Sequence, residues 1–258
     1  LKKAYLNMAP SQTLKWIEAG KNPSEQNVEI EGTEPYIVGG HTASGYWVDT
    51  NRQTTIKGLY AAGDVAGGCP QKYVTGALVE GEIAALDMIR QIENDTDVIL
   101  PDEEAERLLE EKALEYDAIL KEKQTVFTTE QLEEAMQKVM DTYAGGIGAH
   151  YQFNEKQLLL ADEKILQLMK LSENLNADDY HELMFVYELR ERLTVCRTLI
   201  AHLKARKETR WHSFAENLDY PEKSDEWLKY VNTVYKDGKY EVLYRELVKR
   251  GDIYEHRN

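Results

Sequence analysis

A single acid set among small residues is the first feature of this sequence that could do chemistry. Residues 59–68 read LYAAGDVAGG, so an apolar segment runs into Gly63, Asp64 and two adjacent glycines. A carboxylate can accept several hydrogen bonds at once, and small neighbours allow a ligand to come close to it. The same residues would also suit a tight turn in which Asp64 caps the local backbone. The stretch therefore predicts either a ligand-facing carboxylate or an ordinary strand-to-loop turn.

His41 and Lys72 are two further candidates for chemistry. His41 follows Gly39-Gly40, which leaves its ring little to pack on, and an imidazole can donate hydrogen bonds to an anion. Lys72 carries a compact ammonium group that can pair with many kinds of anion. A structural histidine and a solvated lysine are the alternatives, and the residues alone leave them open.

The elements that must position these residues lie in the first hundred residues. A short helix is predicted for residues 12–19, and short strands joined by tight turns are predicted for residues 46–62. Residues 75–92 are apolar nearly all round, which predicts a helix buried against a sheet.

The pattern changes after residue 100, where nearly every segment has helical periodicity. Thr128 and Gln131 form a candidate capping box at the start of one helix. The apolar stripes of these segments predict an antiparallel helical bundle. We therefore divide the chain into residues 1–100 and residues 101–258. The predicted helices of the second part are residues 102–123, 128–143, 154–174 and 178–208.

Bulk composition excludes several classes of function. The 258 residues include 46 Asp and Glu against 31 Lys and Arg, and the net charge of −15 argues against binding to nucleic acid or anionic lipid. No apolar run is long enough to cross a membrane and no signal-peptide pattern is present, so a cytoplasmic protein is expected. Cys69 and Cys196 predict no disulfide framework, and the histidines share no metal-ligand spacing, so no metal site is expected.

Several of these motifs occur in the order of a known family. Gly39-Gly40-His41, residues 59–68 and the Gly-x-Leu-x-Glu-Gly run at residues 76–81 resemble the C-terminal part of the flavoprotein subunit of the fumarate reductase and succinate dehydrogenase family. His41 followed by residues 44–48, together with Gln71-Lys72-Tyr73, resembles the adenylylsulfate reductase branch. Residues 206–227 are similar to the signatures of the family's helical C-terminal domain.

The resemblance implies a mixed α/β and α fold, in which the C-terminal portion of an FAD-binding domain, with short strands and a buried helix, precedes the antiparallel bundle. It implies that Gly63 and Asp64 bind FAD, with the carboxylate accepting hydrogen bonds from ribityl hydroxyls. It also implies that the helix start faces the isoalloxazine ring, where its free amides stabilise negative charge on the reduced flavin. The residues concerned are Thr75, Gly76, Ala77 and Leu78. A buried helix start paired with other protein groups is the alternative.

The implied function is that of an FAD-dependent oxidoreductase, which transfers two electrons between flavin and a small anionic substrate of the adenylylsulfate or sulfite type. His41 and Lys72 would be its catalytic residues beside that substrate, and a separate iron–sulfur subunit would relay electrons. The dicarboxylate reductases carry an arginine where Lys72 lies, which counts against fumarate or succinate because the planar fork of arginine suits a carboxylate. A dicarboxylate oxidoreductase, or a helical docking module for the iron–sulfur subunit, is the alternative.

The family's phosphate-binding loop, Gly-x-Gly-x-x-Gly between a strand and a helix, has no counterpart in this sequence. The chain is therefore expected to be a C-terminal piece that is inactive alone and does not retain FAD. Arg206, Arg210 and His212 are expected to form an ion-pair network with Asp219 and Asp225 that joins the bundle to the flavin domain.

Overall fold

The computed structural model describes residues 10–28, 44–67, 74–94, 102–121, 126–210 and 215–247. The chain divides into two compact units, Leu1–Gly40 and His41–Asn258. Helix α1, Pro10–Glu18, lies in the first unit and confirms the helix predicted at residues 12–19. The domain boundary placed at residue 100 stays a prediction, and His41 and Lys72 lie outside the described residues.

In the part of the second unit that the structure describes, five further α-helices confirm the helical segments predicted from periodicity. None of the described helices is both long and apolar enough to cross a membrane. The five are α2, Val74–Asn94; α3, Asp102–Lys121; α4, Thr129–Tyr143; α5, Glu155–Ser172; and α6, Tyr180–Ala205.

Side-chain caps set where α4, α5 and α6 begin. Thr128 and Gln131 form the predicted capping box: the threonine hydroxyl accepts from the Gln131 amide, and the Gln131 side chain accepts from the Thr128 amide. Asn154 and Gln157 form an equivalent box before α5, which the sequence analysis did not identify. Asp179 caps α6 by accepting from the amides of residues 181 and 182. Each cap satisfies amides that have no partner inside the helix.

The main core lies where α4, α5 and α6 pack against one another. Helix α3 joins them through a hydrogen bond of 2.6 Å from the Tyr187 hydroxyl to Glu115. This arrangement confirms the helices predicted between residues 102 and 208, while the antiparallel direction of the helices stays a prediction. The largest fully buried apolar side chains are Leu158, Ile165, Val186, Leu189, Leu193 and Ile200.

Two small sheets accompany the helices within the described ranges. Strand β1, Gln152–Phe153, pairs in parallel with β2, Glu216–Asn217. Strands β3, Lys229–Lys236, and β4, Lys239–Glu246, form an antiparallel hairpin. Asp237 and Gly238 connect them with φ of 49° and 77°, the positive values that a two-residue hairpin turn of this kind requires. In the sequence alone Gly238 predicts this turn between Tyr235 and Tyr240, although the flanking strands were not predicted.

Residues 44–67 and α2 depart from the predictions in two ways. The short strands expected at residues 46–62 are reduced to isolated bridges. The prediction that α2 is a buried helix is wrong, because Leu78 and Ile92 are 69% and 77% exposed whereas Glu80 and Asp87 are buried. Polar groups in the preceding loop bind these two acids, so the helix turns its polar face inward.

The glycine-rich loop at residues 145–148 owes its composition to Asp141 at the end of α4. The Gly148 amide donates to a carboxylate oxygen of Asp141 at 2.9 Å. A Cβ atom added at Gly146 would collide with the Asp141 backbone, and one at Gly148 would collide with the carboxylate. Only glycine fits at Gly146, because the clash there is with backbone, so the loop serves local packing.

We predict that Gly146→Ala lowers the free energy of unfolding by about 2 kcal/mol, since the new methyl group would overpack rigid backbone. Gly81→Ala is the matched control, because Gly81 is within α2 and an added Cβ would meet nothing within 4 Å. That variant is expected to gain up to about 1 kcal/mol from higher helix propensity. Urea denaturation followed by circular dichroism measures the free energy of unfolding of both variants. Equal changes in the two would contradict the packing role given to Gly146.

Candidate functional site

The Asp64 turn lies beside a short backbone pairing. Residues Gly63–Val65 form a single 3-10 turn, and Tyr46 pairs with the chain just after it. The Tyr46 amide donates to the Val65 carbonyl, and the Gly67 amide donates to the Tyr46 carbonyl, each at 2.8 Å. A Cβ atom added at Gly45 would come within 2.6 Å of the backbone at residues 65–67. Some of the small residues around Asp64 are therefore needed for close backbone packing.

Gly63 brings the same turn against the first turns of α2. Its φ of 71° lies in the left-handed region, which favours glycine. A Cβ atom added there would be 3.1 Å from the Cβ of Ala77. The Asp64 turn and the start of α2 are thus neighbours, with small residues between them, as the flavin hypothesis requires.

Glu80 holds this contact together from the first part of α2. Its carboxylate accepts from the Gly63 amide at 2.9 Å and from Nη1 of Arg52 at 3.0 Å. The Arg52 carbonyl in turn accepts from the amide of Ala61 at 3.0 Å. Because Glu80 is only 6% exposed, its charge is neutralised by Arg52 and not by water.

Asp87 is a second anchor, farther along the same face of α2. It accepts from the Tyr60 hydroxyl at 2.6 Å and from the side chains of Gln91 and Arg90 at 2.9 and 3.1 Å. Burial, together with the hydrogen bond to the negatively charged Asp87, raises the pKa of Tyr60 to about 12. The sequence analysis missed both acids, although Glu80, Ala84, Asp87 and Gln91 recur at the spacing of one helical face.

The predicted cofactor residues fall into buried and exposed groups. Gly63 is buried, Gly76 and Ala77 are half-buried, and Asp64, Thr75 and Leu78 are exposed. The structure therefore brings Gly63 close to Ala77 while Asp64 and Thr75 have solvent-facing surface. Within the described residues, no cluster of His, Cys, Asp and Glu could hold a metal ion.

The expected ion-pair network exists, but its partners differ from those predicted. Arg206 and Arg210 both donate to Glu208, whose side chain is fully buried, with N–O distances of 2.8 Å. These hydrogen bonds help to hold the pKa of Glu208 below its usual value, against the opposing effect of burial. Asp219 instead accepts from the Glu155 amide at the start of α5. His212 lies outside the described residues.

The network also joins elements other than those predicted. Arg206 donates to the carbonyls of Trp227 and Lys229, each at 2.9 Å, and Arg210 donates to that of Ser224. The paired arginines therefore fasten the end of α6 to the loop before β3, and not directly to residues 44–67.

Comparisons with known proteins agree with this architecture. Residues 133–251 match the family model described as the fumarate reductase flavoprotein C-terminal domain. The chain is 28% identical over 272 residues to the adenylylsulfate reductase subunit alpha of Megalodesulfovibrio gigas, a match that covers 92% of this chain. It spans about 40% of the length of that relative.

Solved structures give the same result. Adenylylsulfate reductase from Archaeoglobus fulgidus aligns over 98% of this chain and 44% of its own, with a TM-score of 0.76 and 29% identity. An adenosine-5-phosphosulfate reductase in covalent complex with sulfite aligns over the same shares, with a TM-score of 0.74 and 30% identity. Quinol fumarate reductase of E. coli aligns over 95% of this chain and 42% of its own, with a TM-score of 0.73 and 18% identity, and thus shares the fold. Residues 133–251 thus match the C-terminal domain of the fumarate reductase flavoprotein, and the resemblance predicted from the sequence is confirmed.

We predict that Glu80→Ala lowers the free energy of unfolding by about 3 kcal/mol, since it leaves the partly buried Arg52 charge and the Gly63 amide without their acceptor. Chemical denaturation measures the loss. Glu82→Ala, an exposed acid on the same helix, is the control and should change stability by less than about 0.5 kcal/mol. If Glu80→Ala lowers the free energy of unfolding no more than Glu82→Ala does, the proposal that Glu80 holds the turn against α2 is contradicted.

The raised pKa of Tyr60 predicts a pH dependence at the alkaline end. An unfolded tyrosine titrates near pH 10, so the contribution of Tyr60 is complete below about pH 10 and is lost as pH rises through about 12. The stability difference between the wild type and Tyr60→Phe should therefore shrink over this window. Denaturation across the pH range tests it, with the exposed Tyr235→Phe as the control. A difference that stays constant to pH 12 contradicts the role of Asp87.

Proposed function

We propose that this chain forms one wall of an FAD site in a flavin-dependent oxidoreductase acting on a small anionic substrate. The observation that carries the proposal is the contact between the Gly63–Val65 turn and the first turns of α2. It brings the turn that carries the exposed Asp64 against the first turns of α2, with Gly63 and Ala77 at the contact. The small residues at this contact would let a polyol chain and a flat ring come close to both groups.

The donors and acceptors at this wall match the two parts of the cofactor. Asp64 can accept from ribityl hydroxyls, because a carboxylate has several acceptor positions. The first four amides of α2 have no partner within the helix, and its N-terminus favours negative charge. FAD would supply the electron transfer, and the protein groups would hold it and stabilise charge on its ring. Thr75, Gly76, Ala77 and Leu78 keep the roles that the resemblance implies.

An adenylylsulfate or sulfite-like anion is the proposed substrate, with His41 and Lys72 as the catalytic groups beside it. The relative from Megalodesulfovibrio gigas and the aligned structure with sulfite support this choice. The fumarate reductase structure at 18% identity shares the fold and gives no support to a dicarboxylate. An ammonium group at Lys72 also lacks the bidentate fork that suits a carboxylate.

An iron–sulfur subunit is the proposed protein partner. The name of the relative, subunit alpha, indicates that it works within an assembly. The flavin would exchange electrons with that partner, so the protein needs a route for single electrons as well as a substrate site. The iron–sulfur identity of the partner comes from the resemblance alone.

We predict that Asp64→Ala weakens FAD binding to the flavoprotein that carries this chain by about tenfold to a hundredfold, because hydrogen bonds to a charged acceptor are lost. Equilibrium titration followed by flavin fluorescence measures the affinity. Asp49→Asn is the matched control, since Asp49 lies in the neighbouring loop and the variant keeps an oxygen for the amides of Asn51 and Gln53. Equal affinity in the wild type and Asp64→Ala would overturn the proposed site.

The substrate class is tested on the same FAD-loaded protein. Sulfite is expected to alter the visible flavin spectrum at concentrations where succinate has no effect, and Lys72→Ala should abolish the response to sulfite. A response to succinate or fumarate alone would favour the dicarboxylate alternative.

A further inference from the structure

One face of the β3–β4 hairpin is fastened to α6. The Tyr240 hydroxyl donates to the Thr194 carbonyl at 3.1 Å, and Thr233 and His202 form a hydrogen bond of 3.1 Å. Nearer the open end of the hairpin, the Tyr244 hydroxyl donates to the Ala205 carbonyl at 3.5 Å. The hairpin is therefore anchored along the helix that forms the centre of the bundle core.

The opposite face carries an arginine between two aromatic rings. Tyr230 and Arg245 are cross-strand partners. The Arg245 guanidinium carbon is 3.9 Å from the ring centroid of Trp47 and 4.9 Å from that of Tyr230. Its Nε donates to Asn232 Oδ1 at 2.8 Å, which fixes the plane of the guanidinium group. The cation thus joins the hairpin to residues 44–67 through a directed contact.

Trp47 is adjacent to the residue that pairs with the Asp64 turn. The Tyr46 amide donates to the Val65 carbonyl, and the Tyr46 carbonyl accepts from the Gly67 amide, so both bonds hold the chain just after Asp64. Among the described residues, the local core under this segment consists of Val48, Ala61 and Ala66. A segment with so little apolar burial of its own depends on outside contacts for its position.

We propose that Arg245 is a positioning residue for the flavin wall, by which we mean the Gly63–Val65 turn and the start of α2. Its stack on Trp47 holds the segment around Tyr46, and that segment holds the Asp64 turn against α2. The C-terminal helical part, through the hairpin, thereby sets the geometry of a site to which it contributes no proposed ligand. The inference rests on the proposed function for its consequence on FAD, whereas the mechanical link can be tested without the cofactor.

Hydrogen exchange of the Tyr46 and Gly67 amides in the chain without FAD tests the link. A cation over an indole ring should shift the local opening equilibrium by about threefold to thirtyfold, so Arg245→Ala should speed exchange at both amides by that factor. Amides in the core of α6 should keep their wild-type rates. Arg245→Lys, which keeps a cation over Trp47, should restore most of the protection.

Lys229→Ala is the matched control on the same hairpin. Lys229 Nζ lies 4.7 Å from the Trp227 ring and 5.3 Å from the Tyr244 ring, so this variant removes a cation from two other rings. It should leave Tyr46 and Gly67 exchange unchanged. Unaltered exchange in Arg245→Ala, or the same acceleration in Lys229→Ala or throughout α6, overturns the link.

The consequence for the cofactor is measured separately, as FAD affinity. Arg245→Ala should weaken FAD binding by a factor no larger than its effect on exchange, while Lys229→Ala should not weaken it. If Asp64→Ala leaves FAD affinity unchanged, the proposed function fails and exchange alone decides the link. If Asp64→Ala weakens FAD binding and Arg245→Ala does not, the positioning role fails and the proposed function stands.

Discussion

The buried carboxylate of Glu80 is the constraint on which the arrangement of the site depends. It accepts from the Gly63 amide and from the Arg52 side chain. One side chain of α2 therefore fixes both the Gly63–Val65 turn and the loop that contains Arg52. A charge buried to this extent is tolerated only when its partners are in place, which makes the contact all-or-none. The position of Asp64 relative to the start of α2 follows from this contact.

Helix α2 consequently turns polar residues toward the preceding loop. Glu80 and Asp87 form an inward stripe that binds the loop, while Leu78, Leu86 and Ile92 are more than half exposed. In most surface helices the apolar stripe faces the core, because burial of apolar area is the main stabilising term. On the side of α2 that meets the preceding loop, hydrogen bonds and an ion pair make the contact.

In the C-terminal part, by contrast, the helices pack mainly through apolar side chains. Its helices bury a contiguous apolar core, and its buried acid, Glu208, lies between two arginines at the end of α6. A well-packed body of this kind can support a weakly packed loop through a few directed contacts. The hairpin is suited to that purpose because alternate side chains of a strand point to opposite faces, one toward α6 and the other toward Trp47.

The sequence by itself determined the described helices, the Thr128 capping box and the turn at Gly238, because periodicity, caps and turn residues act over a few neighbouring positions. It also pointed to the stretch around Asp64. Only the tertiary structure decided which face of α2 is buried, which acid neutralises Arg206 and Arg210, and that Arg245 meets Trp47. These contacts join residues far apart in the chain, so their partners depend on how the elements pack.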